Sequence, residues 1–172
     1  MPEKELIIGK REIAKRIKEL GAAITKDYEK GQLLVVGILN GAFVFMADLA
    51  REIKLEIEID FVRVVSYGMG TVSGTLRFTK DIEVDIQGRD ILIVEDIIDT
   101  GRTLTLLKQS FEGRGEQSVR FCALLDKKER REIDVCVDYV GFEVQSGFLV
   151  GYGLDCREQF RNLPEIYQLK DV

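Results

Sequence analysis

Two hydrophobic rhythms alternate along the chain. From Gly9 to Tyr28, Ile13, Ile17, Leu20 and Ile24 recur at spacings of four, three and four with Lys and Glu between them, which predicts an amphipathic helix with a solvated charged face. Leu33 to Leu39 is a short unbroken apolar run, the pattern of a buried strand, and Gly41 to Lys54 returns to helical spacing through Phe43, Met46, Ala47 and Ala50. Ile57 to Ser66 alternates through Ile57, Ile59, Phe61 and Val64 as a strand. Tyr67 to Gly74, YGMGTVSG, is small and polar with three glycines and predicts a mobile loop, followed by Thr75 to Ile82 as its returning strand. Gly88-Arg89-Asp90 turns into Ile91-Leu92-Ile93-Val94, a strand buried on both faces, and Leu104, Leu107, Lys108 and Phe111 then fall at helical spacing. Ser118 to Leu125, Ile133 to Val140 and Phe148 to Tyr152 complete the strands. Alternation of this kind predicts an α/β fold on a parallel sheet with right-handed crossovers.

The densest chemistry lies in Ile91 to Leu104, ILIVEDIIDTGRTL. Thr100-Gly101-Arg102-Thr103 offers backbone N–H groups, hydroxyls and a glycine at the positive end of a helix, which is a phosphate cradle. Beside it stand Glu95, Asp96 and Asp99. Like charges about 4 Å apart repel by about 4 kcal/mol at an effective dielectric near 20, so a bare polyanion would be driven off. Either a divalent cation accompanies the phosphate, or the carboxylates meet a developing positive charge. A sugar phosphate reacting through a cationic anomeric carbon satisfies both conditions. A Walker A loop is excluded, because Gly-Lys-Ser/Thr is missing. Gly68, Gly70 and Gly74 approach a dinucleotide fingerprint, but the last spacing is one residue too long and no helix follows.

Composition narrows the chemistry further. A chain of 172 residues with 45% hydrophobic content can bury about 70% of its extended surface, enough for a single domain over residues 1–172. There is no run of 18 apolar residues and no N-terminal signal pattern, so the expectation is a cytoplasmic protein with no membrane partner. Cys122, Cys136 and Cys156 are odd in number, widely spaced and in apolar contexts, which indicates neither a disulfide framework nor a zinc site. A net charge of −5 argues against nucleic acid as a partner. The chain has no histidine, which removes Ser-His-Asp and Cys-His catalysis and His-ligated zinc. Acid–base work must come from Asp, Glu, Lys or Tyr. Any metal should be a hard cation on oxygen ligands, which favours Mg2+.

In open α/β sheets ligands bind beyond the carboxyl ends of the strands. Three such ends carry polar groups here: Asn40-Gly41 after Leu39, Glu95-Asp96 after Val94, and Asp126-Lys127 after Leu125. Taken with the strand–Glu-Asp–apolar pair–Asp-Thr-Gly-basic-Thr pattern, the chain resembles the type I phosphoribosyltransferases, which bind 5-phosphoribosyl 1-pyrophosphate. LNGAFVFMADL (Leu39 to Leu49), Ser66-Tyr67-Gly68, LLDK (Leu124 to Lys127) and FLVGYGLD (Phe148 to Asp155) are similar to segments of their 6-oxopurine branch, the hypoxanthine-guanine phosphoribosyltransferases.

The resemblance implies a twisted, mainly parallel sheet flanked by helices, with a small hood and a flexible catalytic loop beginning at Ser66, Tyr67 and Gly68. It implies that Asn40 and Gly41 form the pyrophosphate loop, that Glu95 and Asp96 hold the ribose hydroxyls and Mg2+, and that Thr100, Gly101, Arg102 and Thr103 hold the 5′-phosphate. Asp99 would face purine N7 as proton acceptor, Lys127 would donate to O6, Phe148 would stack on the base and the Leu149 backbone would meet its edge. Asp155, in the purine and metal segment, would bind Mg2+, and Arg161 would lie near the pyrophosphate. The partners are then a 6-oxopurine and phosphoribosyl pyrophosphate, with a homodimer or homotetramer as the assembly. Two departures stand out: Asn40 where the family often carries Lys or Arg, and Gln145-Ser146-Gly147 in place of a Pro-acid pair before the stacking aromatic. The alternatives are a nucleotide-sensing regulatory protein on the same fold, for which no basic face or added DNA-binding segment is evident, and a xanthine-guanine specificity.

Overall fold

A computed structural model describes residues 3–67 and 75–170. Among the described residues a six-stranded sheet has the order β4-β3-β2-β5-β6-β7, where β2 is Leu33–Leu39, β3 Ile57–Tyr67, β4 Thr75–Lys80, β5 Asp90–Ile98, β6 Ser118–Lys127 and β7 Tyr139–Val144. Every pairing in it is parallel except that of β3 with β4. The helices α1 (Lys10–Asp27) and α2 (Phe43–Glu52) cover one face and α3 (Arg102–Phe111) the other.

The period of two along a strand explains why both faces are apolar. Leu33 and Val35 of β2, with Leu92 and Val94 of β5, pack with Ile13, Ile17, Leu20 and Ile24 of α1 and Phe45 and Leu49 of α2. Their neighbours Leu34, Val36, Ile91 and Ile93 pack with Leu104, Leu107 and Phe111 of α3. The edge strand β7 is covered from α1, where Arg16 donates to the Val140 and Gly141 carbonyls at 2.7 and 2.9 Å.

A second, antiparallel sheet has the order β1-β9-β8, with β1 Lys4–Ile8, β8 Phe148–Val150 and β9 Ile166–Leu169. Neither β1 nor β9 is evident from periodicity, because each is at most five residues long and polar-flanked. Phe148 opens a strand as expected, but in this small sheet and only to Val150. The expected strand Ile133 to Val140 is also displaced: the strand runs Tyr139–Val144. Val135 and Val137 instead pack against the α3-side core, and the Ile133 N–H bonds the Thr100 carbonyl at 3.0 Å, which takes that segment out of the sheet. Of the expected mobile loop from Tyr67 to Gly74, Tyr67 instead ends β3, and Gly68 to Gly74 lie outside the described residues.

Asp60 of β3 fastens the segment that leads back to β5. Its buried carboxylate accepts from the N–H groups of Phe61, Glu83 and Val84 at 2.6, 2.6 and 3.1 Å and from Lys80 Nζ at 3.1 Å. Burial by itself would raise its pKa, but these donors outweigh burial and hold it at about 2. A depressed carboxylate pKa contributes stability that is present above the unfolded value near 4 and lost as pH falls through 2, here about 2 kcal/mol. Urea unfolding at pH 6 and pH 2.5 should therefore show a steeper acid loss in the native chain than in Asp60→Asn. Parallel losses would remove Asp60 from the acid transition.

Candidate active site

β2, β5 and β6 are adjacent and parallel, so their carboxyl ends open on one edge of the sheet and the three polar strand ends meet there. Glu95 and Asp96 lie in β5 itself, which extends to Ile98. Glu95 is buried, and its Oε1 accepts from the Asp96 N–H at 3.1 Å, while Asp96 Oδ1 accepts from the Ile97 N–H at 2.7 Å. Burial, then the charge of Asp96, drives the Glu95 carboxyl well above the ordinary carboxylate range. Burial raises Asp96 as well, opposed by hydrogen bonding to Glu95 and Ile97 and by the positive Arg161. The pair is therefore an electrostatic sink for a cation.

The turn after β2 closes directly on Asp96. A Cβ added at Gly41 would lie 1.8 Å from Asp96 Oδ2, so no side chain fits there; Asn40 beside it is exposed. Arg161 donates to the Gly153 carbonyl at 2.9 Å and pairs with Asp155 Oδ1 at 2.9 Å and Glu158 Oε2 at 3.0 Å. The second Asp155 oxygen accepts from the Glu158 N–H at 2.9 Å. Among the described residues no three His, Cys, Asp or Glu side chains form a metal-binding group. Both Asp155 oxygens are engaged locally, by Arg161 and the Glu158 N–H, and among the described residues Glu95, Asp96 and Asp155 are not gathered into one metal-binding group.

On the other side of Glu95 a cavity of about 90 Å3 is lined by Glu95, Asp99, Thr100, Gly101 and Thr103, at the N-terminus of α3. Gly101 has φ +87°, and a Cβ there would lie 2.3 Å from the Ile133 carbonyl oxygen, so conformation and close approach both demand glycine. The Arg102 guanidinium does not turn into this cavity as a free cation; its Nε pairs with Glu132 Oε2 at 2.6 Å.

At the end of β6, Lys127 is buried, with Nζ donating to the Gly147 carbonyl at 3.3 Å and standing 3.8 Å from Asp99 Oδ1. That Asp99 oxygen is buried and, among the described residues, has no hydrogen-bond partner. Phe148 follows Gly147 and is 44% exposed, and Leu149 behind it is buried. The fold thus joins Asp99, Lys127 and Phe148, which come from three separate segments. Arg131, by contrast, belongs to a run that reads in sequence as a solvated charged turn, yet it is largely buried against Asp126 and the Asp99 carbonyl. Its position in a mixed-charge run carries no signal of this. Ser66 is exposed at the end of β3; Gly68 lies outside the described residues. A separate cavity of about 590 Å3 between α1, α2 and residues 161–164 is mainly apolar and touches this site at Arg161.

Residues 7–157 match the family described as phosphoribosyl transferase domain. The chain belongs to this family, in its hypoxanthine-guanine phosphoribosyltransferase branch. It is 48% identical over 167 residues to the hypoxanthine-guanine phosphoribosyltransferase of Bacillus subtilis, spanning 96% of this chain and 93% of that one. It is also 48% identical over 163 residues to the hypoxanthine phosphoribosyltransferase of Haemophilus influenzae, spanning 92% and 91%. A crystal structure of a hypoxanthine phosphoribosyltransferase from Staphylococcus aureus superimposes with a TM-score of 0.92 at 44% identity, covering 96% of this chain and 91% of that chain. The α/β class expected from the strand–helix alternation holds.

Proposed function

We propose that this protein transfers the 5-phosphoribosyl group from phosphoribosyl pyrophosphate to hypoxanthine, guanine or both, giving the nucleoside monophosphate and pyrophosphate in purine salvage. The observation that carries the reading is the orphaned Asp99 Oδ1, a buried acceptor 3.8 Å from a buried ammonium donor. N7 and O6 are neighbours on one edge of a 6-oxopurine. An N7–H would satisfy the acceptor while O6 accepts a hydrogen bond from the lysine, so one ligand edge answers both groups at once.

In this reading the C1–N9 bond forms as the bond from C1 to the pyrophosphate oxygen breaks, and the N7 proton passes to Asp99. Glu95 and Asp96 meet the ribose hydroxyls and favour positive charge at C1, and the α3 N-terminus with Thr100, Gly101 and Thr103 holds the 5′-phosphate through N–H and hydroxyl groups. Phe148 offers its exposed ring to the face of the base. Arg161, beside Asp96, supplies positive potential near the pyrophosphate that Asn40 does not.

The Glu95–Asp96 pair, buried at Glu95 and half-buried at Asp96, fits Mg2+, which binds through one or two carboxylates and completes its shell with waters and substrate phosphates. These two residues would hold the ion, and Asp155 would join them only on release from Arg161 and the Glu158 N–H. The ion would neutralise charge on the leaving group. Activity is accordingly expected to disappear in excess chelator and return with Mg2+; full turnover in chelator would sink the metal assignment. The reading as a whole is tested by turnover of hypoxanthine, guanine and xanthine with phosphoribosyl pyrophosphate, where activity confined to xanthine and guanine would favour the alternative specificity. Both the activated sugar and the product are polyanions that do not cross lipid unaided, which supports a cytoplasmic site of action. The assembly is proposed to be a homodimer or homotetramer, a number that sedimentation equilibrium measures.

A further inference from the structure

Sequence gives Lys128 to Arg131 the look of a solvated turn, but the Arg131 side chain is only 13% exposed. Its Nε donates to the Asp99 carbonyl at 3.1 Å, and one terminal nitrogen donates to the Lys127 carbonyl at 3.3 Å and pairs with the buried Asp126 carboxylate. One guanidinium therefore touches the backbone of both residues assigned to the purine edge. We propose that Arg131 is a positioning residue that sets the separation between Asp99 and Lys127 and thereby the catalytic alignment of the base. This inference rests on the function proposed above.

Three features point the same way. The planar fork of arginine can serve acceptors in two directions at fixed angles, which the single ammonium of lysine cannot. The residues following Arg131 brace the same loop: the Glu132 and Ile133 N–H groups both donate to the Thr100 carbonyl at 3.0 Å, and Glu132 holds Arg102. Gly101 leaves no slack, since a Cβ there would meet the Ile133 carbonyl oxygen at 2.3 Å and Arg131 Cδ at 3.4 Å. The cradle and the base-reading end of β6 are thus tied through one cross-brace, and Asp126 anchors the brace by holding the guanidinium in a buried ion pair. A misplacement of about 1 Å at a reacting group can lower a rate by about 10²-fold, so a brace at this place acts on turnover more than on binding.

Removing the cation altogether leaves the buried Asp126 with only the exposed Lys128 Nζ at 4.0 Å and threatens the fold, so Arg131→Lys is the primary variant. Its folded state is checked by near-UV circular dichroism, and its competent sites are counted by calorimetric titration with the nucleoside monophosphate. The expected result is full binding stoichiometry, KM for hypoxanthine and phosphoribosyl pyrophosphate within a few-fold of the native values, and kcat per competent site lowered by about 10- to 100-fold. In Arg131→Ala, where it folds, added guanidinium ion at non-denaturing concentration should restore part of kcat. An unchanged kcat per competent site in Arg131→Lys would overturn the proposal and leave Arg131 a purely structural residue. A native chain that turns over no 6-oxopurine would instead sink the parent reading, so the two failures are told apart by which protein shows them.

Discussion

Asp99→Asn is expected to keep the fold and nucleotide binding while lowering turnover by about 10² to 10⁴, the usual contribution of a positioned general base. The two oxygens of Asp99 differ in their surroundings. Among the described residues Oδ1 is buried, without a hydrogen bond and 3.8 Å from Lys127 Nζ, whereas Oδ2 meets the exposed Arg130 at 3.5 Å. An amide in the same place loses the ability to take a proton. If its nitrogen occupies the Oδ1 position, it also sets a donor against both the lysine and an N7–H. The loss should fall on kcat, with KM for phosphoribosyl pyrophosphate little changed, because the cradle is made of backbone and hydroxyl groups that the substitution leaves in place. Arg130→Ala is the control and should stay near native activity, since its contact with Asp99 is long and solvated. Steady-state kinetics with both substrates varied decides the matter: native-like turnover in folded Asp99→Asn removes Asp99 from the chemistry.

The second large effect concerns which base is accepted. Lys127 is buried and its neighbours are the Gly147 carbonyl and Asp99, so it presents a donor to the site and has no acceptor of its own. Adenine puts an amino group where a 6-oxopurine puts a carbonyl, which would set donor against donor and leave buried groups unpaired. Sites built on such a hydrogen bond discriminate by about 10⁴ or more. Adenine should therefore be a negligible substrate. Lys127→Ala should raise KM for hypoxanthine strongly and KM for phosphoribosyl pyrophosphate little, because the lysine sits at the end of β6 and the cradle at the end of β5. Efficient use of adenine by the native chain, or unchanged hypoxanthine kinetics in the variant, would place O6 recognition elsewhere.

Much of this site is local in sequence and was legible there. The strand, the carboxylates, the glycine of the cradle and the helix that follows all lie within Ile91 to Phe111, so hydrophobic period and turn chemistry suffice to order them. Parallel pairing of β2, β5 and β6 also follows from strand–helix alternation, and it brings Asn40-Gly41, Glu95-Asp96 and Asp126-Lys127 to one edge. The absence of histidine excluded whole classes of catalysis without any structure.

What the chain kept hidden depends on contacts between residues far apart along it. Lys127 and Arg131 stand in the same charged run, and only burial against Asp99 and Asp126 separates them from the solvated Arg130 between them. The antiparallel sheet of β1, β9 and β8 joins the two ends of the chain through strands too short for periodicity to reveal. Nothing in the sequence shows that Arg161 and the Glu158 N–H stand on the two oxygens of Asp155. Composition and period determined which residues could do the chemistry, because they encode burial and local conformation. Which oxygen is left without a partner was decided by tertiary packing alone, because satisfying a polar group depends on whatever else the fold brings within about 3 Å of it.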